Sequence, residues 1–150
     1  MDRRKFIQVS LGASAVLAAV PRLLNAMRAP VKMTVYKSPT CGCCENWVGI
    51  MKKQGFAVDV KDMADISEIK RSVGVPKALE SCHTALVGAY VIEGHVPADL
   101  INKILAEKPA ISGLAAPGMP ASAPGMGDGK VPYDVISWDK AGKTAVFAKR

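Results

Sequence analysis

Residues 31–55 read VKMTVYKSPTCGCCENWVGIMKKQG, and this stretch decides the fold. The run from Val31 to Tyr36 contains β-branched residues and ends at Ser-Pro, which is typical of a short strand. The segment from Gly42 to Gln54 has helical periodicity, and Gly55 is a good C-terminal stop. Three cysteines lie where this strand turns into this helix: Cys41, Cys43 and Cys44.

The cysteine positions indicate reactive or metal-binding sulfur. Backbone N–H groups at the N-terminus of a helix favour negative charge, which lowers the pKa of a thiol placed there. Cys41 and Cys44 have the Cys-x-x-Cys spacing of redox dithiols. Cys43 is a third thiol, which a simple dithiol exchanger does not need and a metal site does.

A fourth cysteine, Cys82, directly precedes His83 at the start of the third predicted strand. In a thioredoxin-like sheet, the loop before that strand lies against the N-terminus of the first helix. We therefore expect Cys82 and His83 to join the first three cysteines in a Cys₄ or Cys₃His site. The alternative is one or two structural disulfides, which an oxidising compartment permits.

Two methionines and a second histidine extend the candidate ligand set. Thiolate sites suit zinc, Cu(I) or iron–sulfur clusters. Met119 and Met126 lie in Pro-Gly-Met units of a loop, and thioether sulfur is a soft ligand that favours Cu(I). The alternative is that they fill gaps between the loop and the core. His95 lies just before a predicted helix. Its role is that of a ligand, of a group that orients a ligand, or of a structural residue.

The rest of the chain predicts an α/β fold, a thioredoxin-like mixed sheet with flanking helices. Short helices alternate with strands in the order β-α-β-α-β-β-α, followed by a loop and a hairpin. A Gly/Pro/Met-rich stretch over 110–130 has no periodicity and is predicted to be a loop without regular elements. Asp65 and Glu68 have capping-box spacing. The predicted elements after residue 55 are strand 56–60, helix 65–71, strands 84–87 and 90–92, helix 97–107, and hairpin strands 134–138 and 144–148.

The length of 150 residues is enough for one domain, and no apolar run is long enough to span a membrane without interruption. The formal net charge is +7, and residues 1–29 carry more than half of it. No Lys/Arg cluster interleaved with aromatic residues follows, which argues against a nucleic-acid partner. We expect a leader at 1–29 and a metal-binding domain at 30–150.

The leader has the layout of a signal peptide. A charged start that includes Arg3 and Arg4 precedes an apolar stretch over 6–20, which Pro21 ends. The adjacent arginines followed by Lys-Phe-Ile resemble the twin-arginine export signal of bacteria, with Ile7 in place of Leu. This predicts a periplasmic protein that meets the membrane only transiently through its leader. An uncleaved amphipathic anchor is the alternative.

Four motifs in combination resemble the CopG-type periplasmic copper proteins, long catalogued as a domain of unknown function. The resemblance runs from Val31 to the end of the chain. The motifs are SPTCGCC at 38–44, SCHT at 81–84, EGHVPA at 93–98, and the loop with its Gly-Met-Pro and Pro-Gly-Met units.

The resemblance implies a thioredoxin-like fold, a periplasmic location and a role in copper resistance. Members of that family are described as binding a cysteine-bridged copper cluster and as interconverting Cu(I) and Cu(II). Four residues match the family cysteines: Cys41, Cys43, Cys44 and Cys82. Three further residues fall in matching motifs: His83, Met119 and Met126. Another periplasmic copper-handling protein is the implied partner.

Three functions remain open from the sequence. The first is a redox-active copper protein, a copper oxidoreductase, whose four cysteines bind one Cu(I) ion or a polynuclear Cu(I) cluster. The second is a thiol–disulfide oxidoreductase, with Cys41 attacking and Cys44 resolving. That function is weakened because Ser81-Cys82-His83 replaces the usual proline before the third strand. The third is a passive store or chaperone for copper or zinc.

Overall fold

The computed structural model describes residues 29–150, of which Val31–Arg150 form one compact unit. The predicted leader at 1–29 lies almost entirely outside the described residues, so its export role stays a prediction. Within the described range, no helix is long and apolar enough to cross a membrane.

The chain forms strands and short helices in alternation. They are β1 (Val31–Lys37), α1 (Gly42–Lys53), β2 (Phe56–Asp62), α2 (Ser67–Ser72), a 3₁₀ turn (Lys77–Leu79), β3 (His83–Val87), β4 (Tyr90–Gly94), α3 (Ala98–Glu107), β5 (Gly113–Ala116), β6 (Asp134–Trp138) and β7 (Thr144–Lys149).

The seven strands of residues 29–150 belong to one mixed sheet, in the order β2-β1-β3-β4-β5-β6-β7. The β1–β2 and β4–β5 pairs are parallel, and the other four pairs are antiparallel. Parallel neighbours need a crossover, which α1 and α3 provide. The α/β prediction with a thioredoxin-like mixed sheet and a C-terminal hairpin is confirmed.

Strand β5 was not predicted, because residues 110–130 were expected to contain no regular element. The sequence Gly-Leu-Ala-Ala has no β-branched residue and no polar alternation, so it lacks the usual signal of a strand. Its four residues are all buried between β4 and β6, and Ala115 packs with Trp138. From residue 117 to 130 the chain does form turns and bends without helix or strand.

Helix α2 begins at Ser67, two residues later than predicted. The Asp65 carboxylate accepts a hydrogen bond from the Ser67 N–H at 2.8 Å, so it closes a turn before the helix. The residue that caps the helix is Ile66, without a side-chain hydrogen bond. The predicted capping box of Asp65 and Glu68 is therefore wrong.

The core forms where α1 and α3 cover the sheet. Helix α1 buries Trp47, Val48 and Met51, and α3 buries a stripe that includes Ile101 and Ile104. The pairing of β1 with β3 sets Lys37 opposite His83. The end of β1, which leads into α1, therefore lies beside the start of β3, and this places the residues of the site together.

Candidate metal centre

Three of the candidate ligands lie at the N-terminal end of α1. Cys41 is the residue before the helix, and its N–H donates to the Ser38 carbonyl at 3.2 Å. The fully buried Lys37 ammonium also donates to Ser38, at 3.1 Å, and pairs with the carboxylates of Glu45 and Asp62 at 2.5 and 2.8 Å. Lys37 thus ties the cysteine turn to both β1 and α1. Sequence reasoning missed this residue.

Cys82 reaches the same place from the start of β3. The Cys44 sulfur lies 3.8 Å from the Cys82 carbonyl oxygen. The ligand atoms of the four cysteines all lie within 4.8 Å of one another: Cys41, Cys43, Cys44 and Cys82. The structure therefore brings the four predicted cysteines into one cluster.

The cluster holds one disulfide and two free thiols. Cys41 and Cys44 are joined, whereas Cys43 and Cys82 are free. The Cys43 sulfur lies 3.5 Å from that of Cys41. Burial, with repulsion from Cys43, raises the pKa of the Cys82 thiol to about 11. Cys82 is therefore protonated at neutral pH, and a soft metal ion would have to displace that proton.

Two histidines flank Cys82. Its sulfur lies 3.4 Å from Nδ1 of His83 and 3.2 Å from Nε2 of His95. Donor atoms of Cys44, Cys82, His83 and His95 form a second group within 4.8 Å. The two groups share Cys44 and Cys82, so they are two halves of one site.

His83 is a base that stays uncharged. Burial is the main cause that lowers its pKa to about 3, and repulsion from His95 and Lys70 adds to it. The ring packs on Trp47, with centroids 4.5 Å apart. Its Nε2 is buried without a hydrogen-bond partner in the part of the chain that the structure describes. A buried polar atom of this kind is costly unless something binds it.

The tautomer of His95 follows from its other contact. Its Nδ1 lies 2.7 Å from the carbonyl of Pro124, which can only accept, so Nδ1 carries the proton. Nε2 then holds a lone pair that faces Cys82. Burial lowers the pKa of His95, which favours this neutral form. A carbonyl behind the ring is the arrangement that orients a metal-binding imidazole.

The loop that carries the predicted methionines packs on α1. The Asn46 side chain donates to the Gly125 carbonyl at 3.3 Å, and a Cβ at Gly125 would lie 2.8 Å from the backbone nitrogen of Trp47. Met126 follows directly and is half-buried, whereas Met119 is 48 % exposed. Met119 is thus largely in solvent here, and both methionines stay predictions as ligands.

Behind Cys82 lies a buried ion pair that sequence reasoning also missed. Lys70 of α2 contacts the carboxylate of Glu93 in β4 at 2.5 Å. Burial raises the pKa of the Glu93 carboxyl, and the hydrogen bonds from Lys70 and Thr84 oppose that rise. The signal was present in the sequence, since Glu93 is the one charged residue of the otherwise apolar strand β4.

The donor set decides which metals fit. Four sulfurs and two imidazoles suit soft or borderline ions such as Cu(I) and zinc, and they do not suit magnesium or calcium, which prefer oxygen. The Nδ1 atom of His83 lies beside the Cys82 sulfur, so an imidazole nitrogen is available next to the sulfurs. The disulfide would have to be reduced before all four sulfurs could bind.

The fold and the site together define a thioredoxin-like domain with a cysteine–histidine cluster at the N-terminus of its first helix. Two solved structures match this chain, both described as copper resistance protein CopG, in Form 2 and Form 1. Each is 38% identical, covering 81% of this chain and 98% of its own, with TM-scores of 0.76 and 0.75. The chain belongs to the family of the copper resistance protein CopG.

Two other comparisons add little to this assignment. A family profile described as "Protein of unknown function, DUF411" matches residues 79–126, a segment that includes Cys82, His83 and His95. No curated protein sequence matches the chain.

Proposed function

We propose that this protein binds copper as Cu(I) and serves copper resistance. The observation that carries the proposal is the convergence of Cys41, Cys43, Cys44 and Cys82 within 4.8 Å. Membership of the CopG family supports it. Thiolates are soft ligands and their site is partly buried, and both properties favour Cu(I) over harder ions.

The site holds more than one copper ion. The two donor groups share Cys44 and Cys82, and a thiolate that belongs to two groups can bridge two ions. His83 and His95 provide imidazole ligands on one side of the cluster. Met119 and Met126 provide thioethers from the loop, which would have to bring Met119 in from solvent.

The same ligands support a change of oxidation state. Thiolates stabilise Cu(I), whereas imidazole also suits Cu(II), so a mixed set keeps both states accessible. We propose that the protein interconverts Cu(I) and Cu(II) as a copper oxidoreductase, with an external one-electron redox partner that supplies the electron when Cu(II) is reduced and accepts it when Cu(I) is oxidised. The alternative is a passive store or chaperone for copper or zinc, which shares the ligands and leaves the oxidation state unchanged.

We further propose that the protein works in the periplasm. Its first 29 residues have the layout of a twin-arginine signal, and copper resistance in that compartment fits a site of oxidisable thiols. A second periplasmic copper-handling protein would deliver or receive the ion. Neither a nucleic acid nor a lasting membrane contact belongs to this function.

The state of the Cys41–Cys44 disulfide provides the test. The chain is titrated anaerobically with Cu(I), once after reduction and once in the disulfide form, against a chromogenic competitor. We expect the reduced form to hold more copper, and more tightly, because disulfide formation removes two sulfurs. Equal copper content and affinity in the two forms would exclude Cys41 and Cys44 as ligands.

A thiol–disulfide oxidoreductase is the second candidate, because the Cys41–Cys44 disulfide lies at the start of α1. In that function the half-buried Cys41 attacks and the buried Cys44 resolves. The free Cys82 beside this dithiol argues against it, since it would trap a mixed disulfide. Insulin reduction separates the candidates: turnover comparable to a dithiol catalyst would favour exchange, and we expect none.

A further inference from the structure

We propose that the buried Glu93 is a positioning residue for the copper ligands Cys82 and His83, with Lys70 as the partner that balances its charge. This inference rests on the proposed function. It assigns a role to a charged pair that neither the sequence motifs nor the ligand set explains.

The Glu93 carboxylate is fully buried and has three donors. One oxygen accepts from the Lys70 ammonium at 2.5 Å and from the Ser81 backbone N–H at 2.6 Å. The other accepts from the Thr84 hydroxyl at 2.7 Å. Lys70 also donates to the Thr84 hydroxyl at 3.0 Å, which closes the network.

These contacts hold the residues on both sides of the ligand pair Cys82 and His83. Ser81 directly precedes Cys82, and Thr84 directly follows His83, so one carboxylate holds both ends of the ligand pair. The end of β4 supports the same segment by close packing. A Cβ at Gly94 would lie 2.6 Å from the Ser81 hydroxyl, and His95 is the next residue.

An apolar core would not require this pair. Burying two charges costs desolvation energy that their attraction often does not recover, so well-packed apolar residues can be as stable. Apolar side chains cannot, however, accept hydrogen bonds from the Ser81 N–H and the Thr84 hydroxyl. The directional acceptor is what Glu93 adds, and its direction sets where the Cys82 sulfur lies relative to Cys44 and His95.

Two double variants separate positioning from stability. Lys70→Met with Glu93→Gln removes both charges but keeps an acceptor for the Ser81 N–H. Lys70→Met with Glu93→Leu removes the charges and the acceptor. The exposed pair of α3, changed by Lys103→Met with Glu107→Leu, is the control, because it lies 2.5 Å apart on the surface away from this network.

Cu(I) affinity is measured by competition, and the thiolate-to-copper absorption reports the ligand geometry. We expect the Leu variant to lose about 10-fold to 100-fold in affinity and to change its absorption, while the Gln variant and the control stay near the original protein. Melting curves verify that each variant unfolds cooperatively. If the Leu variant does not fold, Thr84→Val is used instead, because it removes the hydrogen bond from the Thr84 hydroxyl to Glu93. This variant is expected to show a smaller loss of Cu(I) affinity and a smaller change in absorption.

The outcomes distinguish the two claims. If the unmodified chain binds no Cu(I), the proposed function fails and the positioning role fails with it. The second case is that the unmodified chain binds Cu(I), and that the folded Leu variant or Thr84→Val matches it in affinity and absorption. Only the positioning role is then overturned.

Discussion

The Nε2 atom of His95 lies 3.2 Å from the sulfur of Cys82, because the two residues flank the open end of the antiparallel β3–β4 hairpin. The Pro124 carbonyl holds the proton on Nδ1 of the same ring. The lone pair of Nε2 therefore faces a thiol that is itself protonated at neutral pH. A soft ion placed there would replace the Cys82 proton and bind both atoms.

Replacing His95 with Gln is expected to weaken the site without removing the thiolates. The variant loses the imidazole lone pair and the bond to Pro124, while Cys82 and Cys44 remain in place. We expect Cu(I) to bind about 10-fold more weakly, because one ligand and its orienting partner are lost. Competition against a chromogenic Cu(I) chelator measures this, and an unchanged affinity would mean that His95 is structural.

Replacing Cys82 with Ser removes the sulfur that both donor groups share. We expect the copper-to-protein ratio to fall by roughly one ion or more per chain, because a bridging ligand serves two ions. The far-ultraviolet circular dichroism is expected to stay the same, since Cys82 forms no disulfide. An unchanged ratio in the folded variant would contradict the assignment of Cys82.

Replacing Gly125 with Ala is expected to displace the loop from α1. Gly125 has a φ of +85°, and the added Cβ would lie 2.8 Å from the backbone nitrogen of Trp47. We expect the free energy of unfolding to fall by about 1–3 kcal/mol from the strained backbone and the clash. The Pro124 contact with His95 would be lost as well.

Gly118→Ala is the matched control for that variant. Gly118 also has a positive φ, of +73°, but a Cβ there meets nothing within 4 Å. Urea unfolding of both variants separates backbone strain from the clash. Equal losses in the two variants would show that the contact of Gly125 with Trp47 does not hold the loop.

The copper-free protein is expected to lose stability as the pH falls from 6.5 to 5, in part through His83. Its pKa is about 3 in the folded chain and near 6.5 when exposed, so the unfolded state binds the extra proton first. The free energy of unfolding then falls by up to about 2 kcal/mol over this interval, at about 1.4 kcal/mol per pH unit. The contribution is fully present above pH 6.5.

Urea unfolding at both pH values, with His83→Gln as the comparison, measures this contribution. The variant is expected to lose less stability over the same interval, because it has no proton to gain. A variant with the same pH dependence as the original chain would show that His83 is not held neutral by burial.

The sequence predicted the cysteine cluster because local spacing and a known topology together determine it. The Cys-x-Cys-Cys run lies at one helix start, and the topology brings the strand after Cys82 beside it. His83 and His95 come to the same place for the same reason. Whether each of them binds a metal stays a prediction.

The features that were missed depend on tertiary packing. Strand β5 is built from small residues that form a strand only because β4 and β6 lie on either side. Lys70 and Glu93 are distant in sequence, so no periodicity links a short helix to the end of β4. The contact of Lys37 with the cysteine turn depends in the same way on the pairing of β1 with β2 and on α1.

The measurement that tests the central claim most directly is the metal content of the reduced full-length chain. It is loaded anaerobically with Cu(I), challenged with excess zinc, separated from free metal and analysed for both elements. The account predicts more than one copper per chain, retained against zinc. A single zinc ion per chain, with the copper displaced, would contradict a polynuclear Cu(I) site.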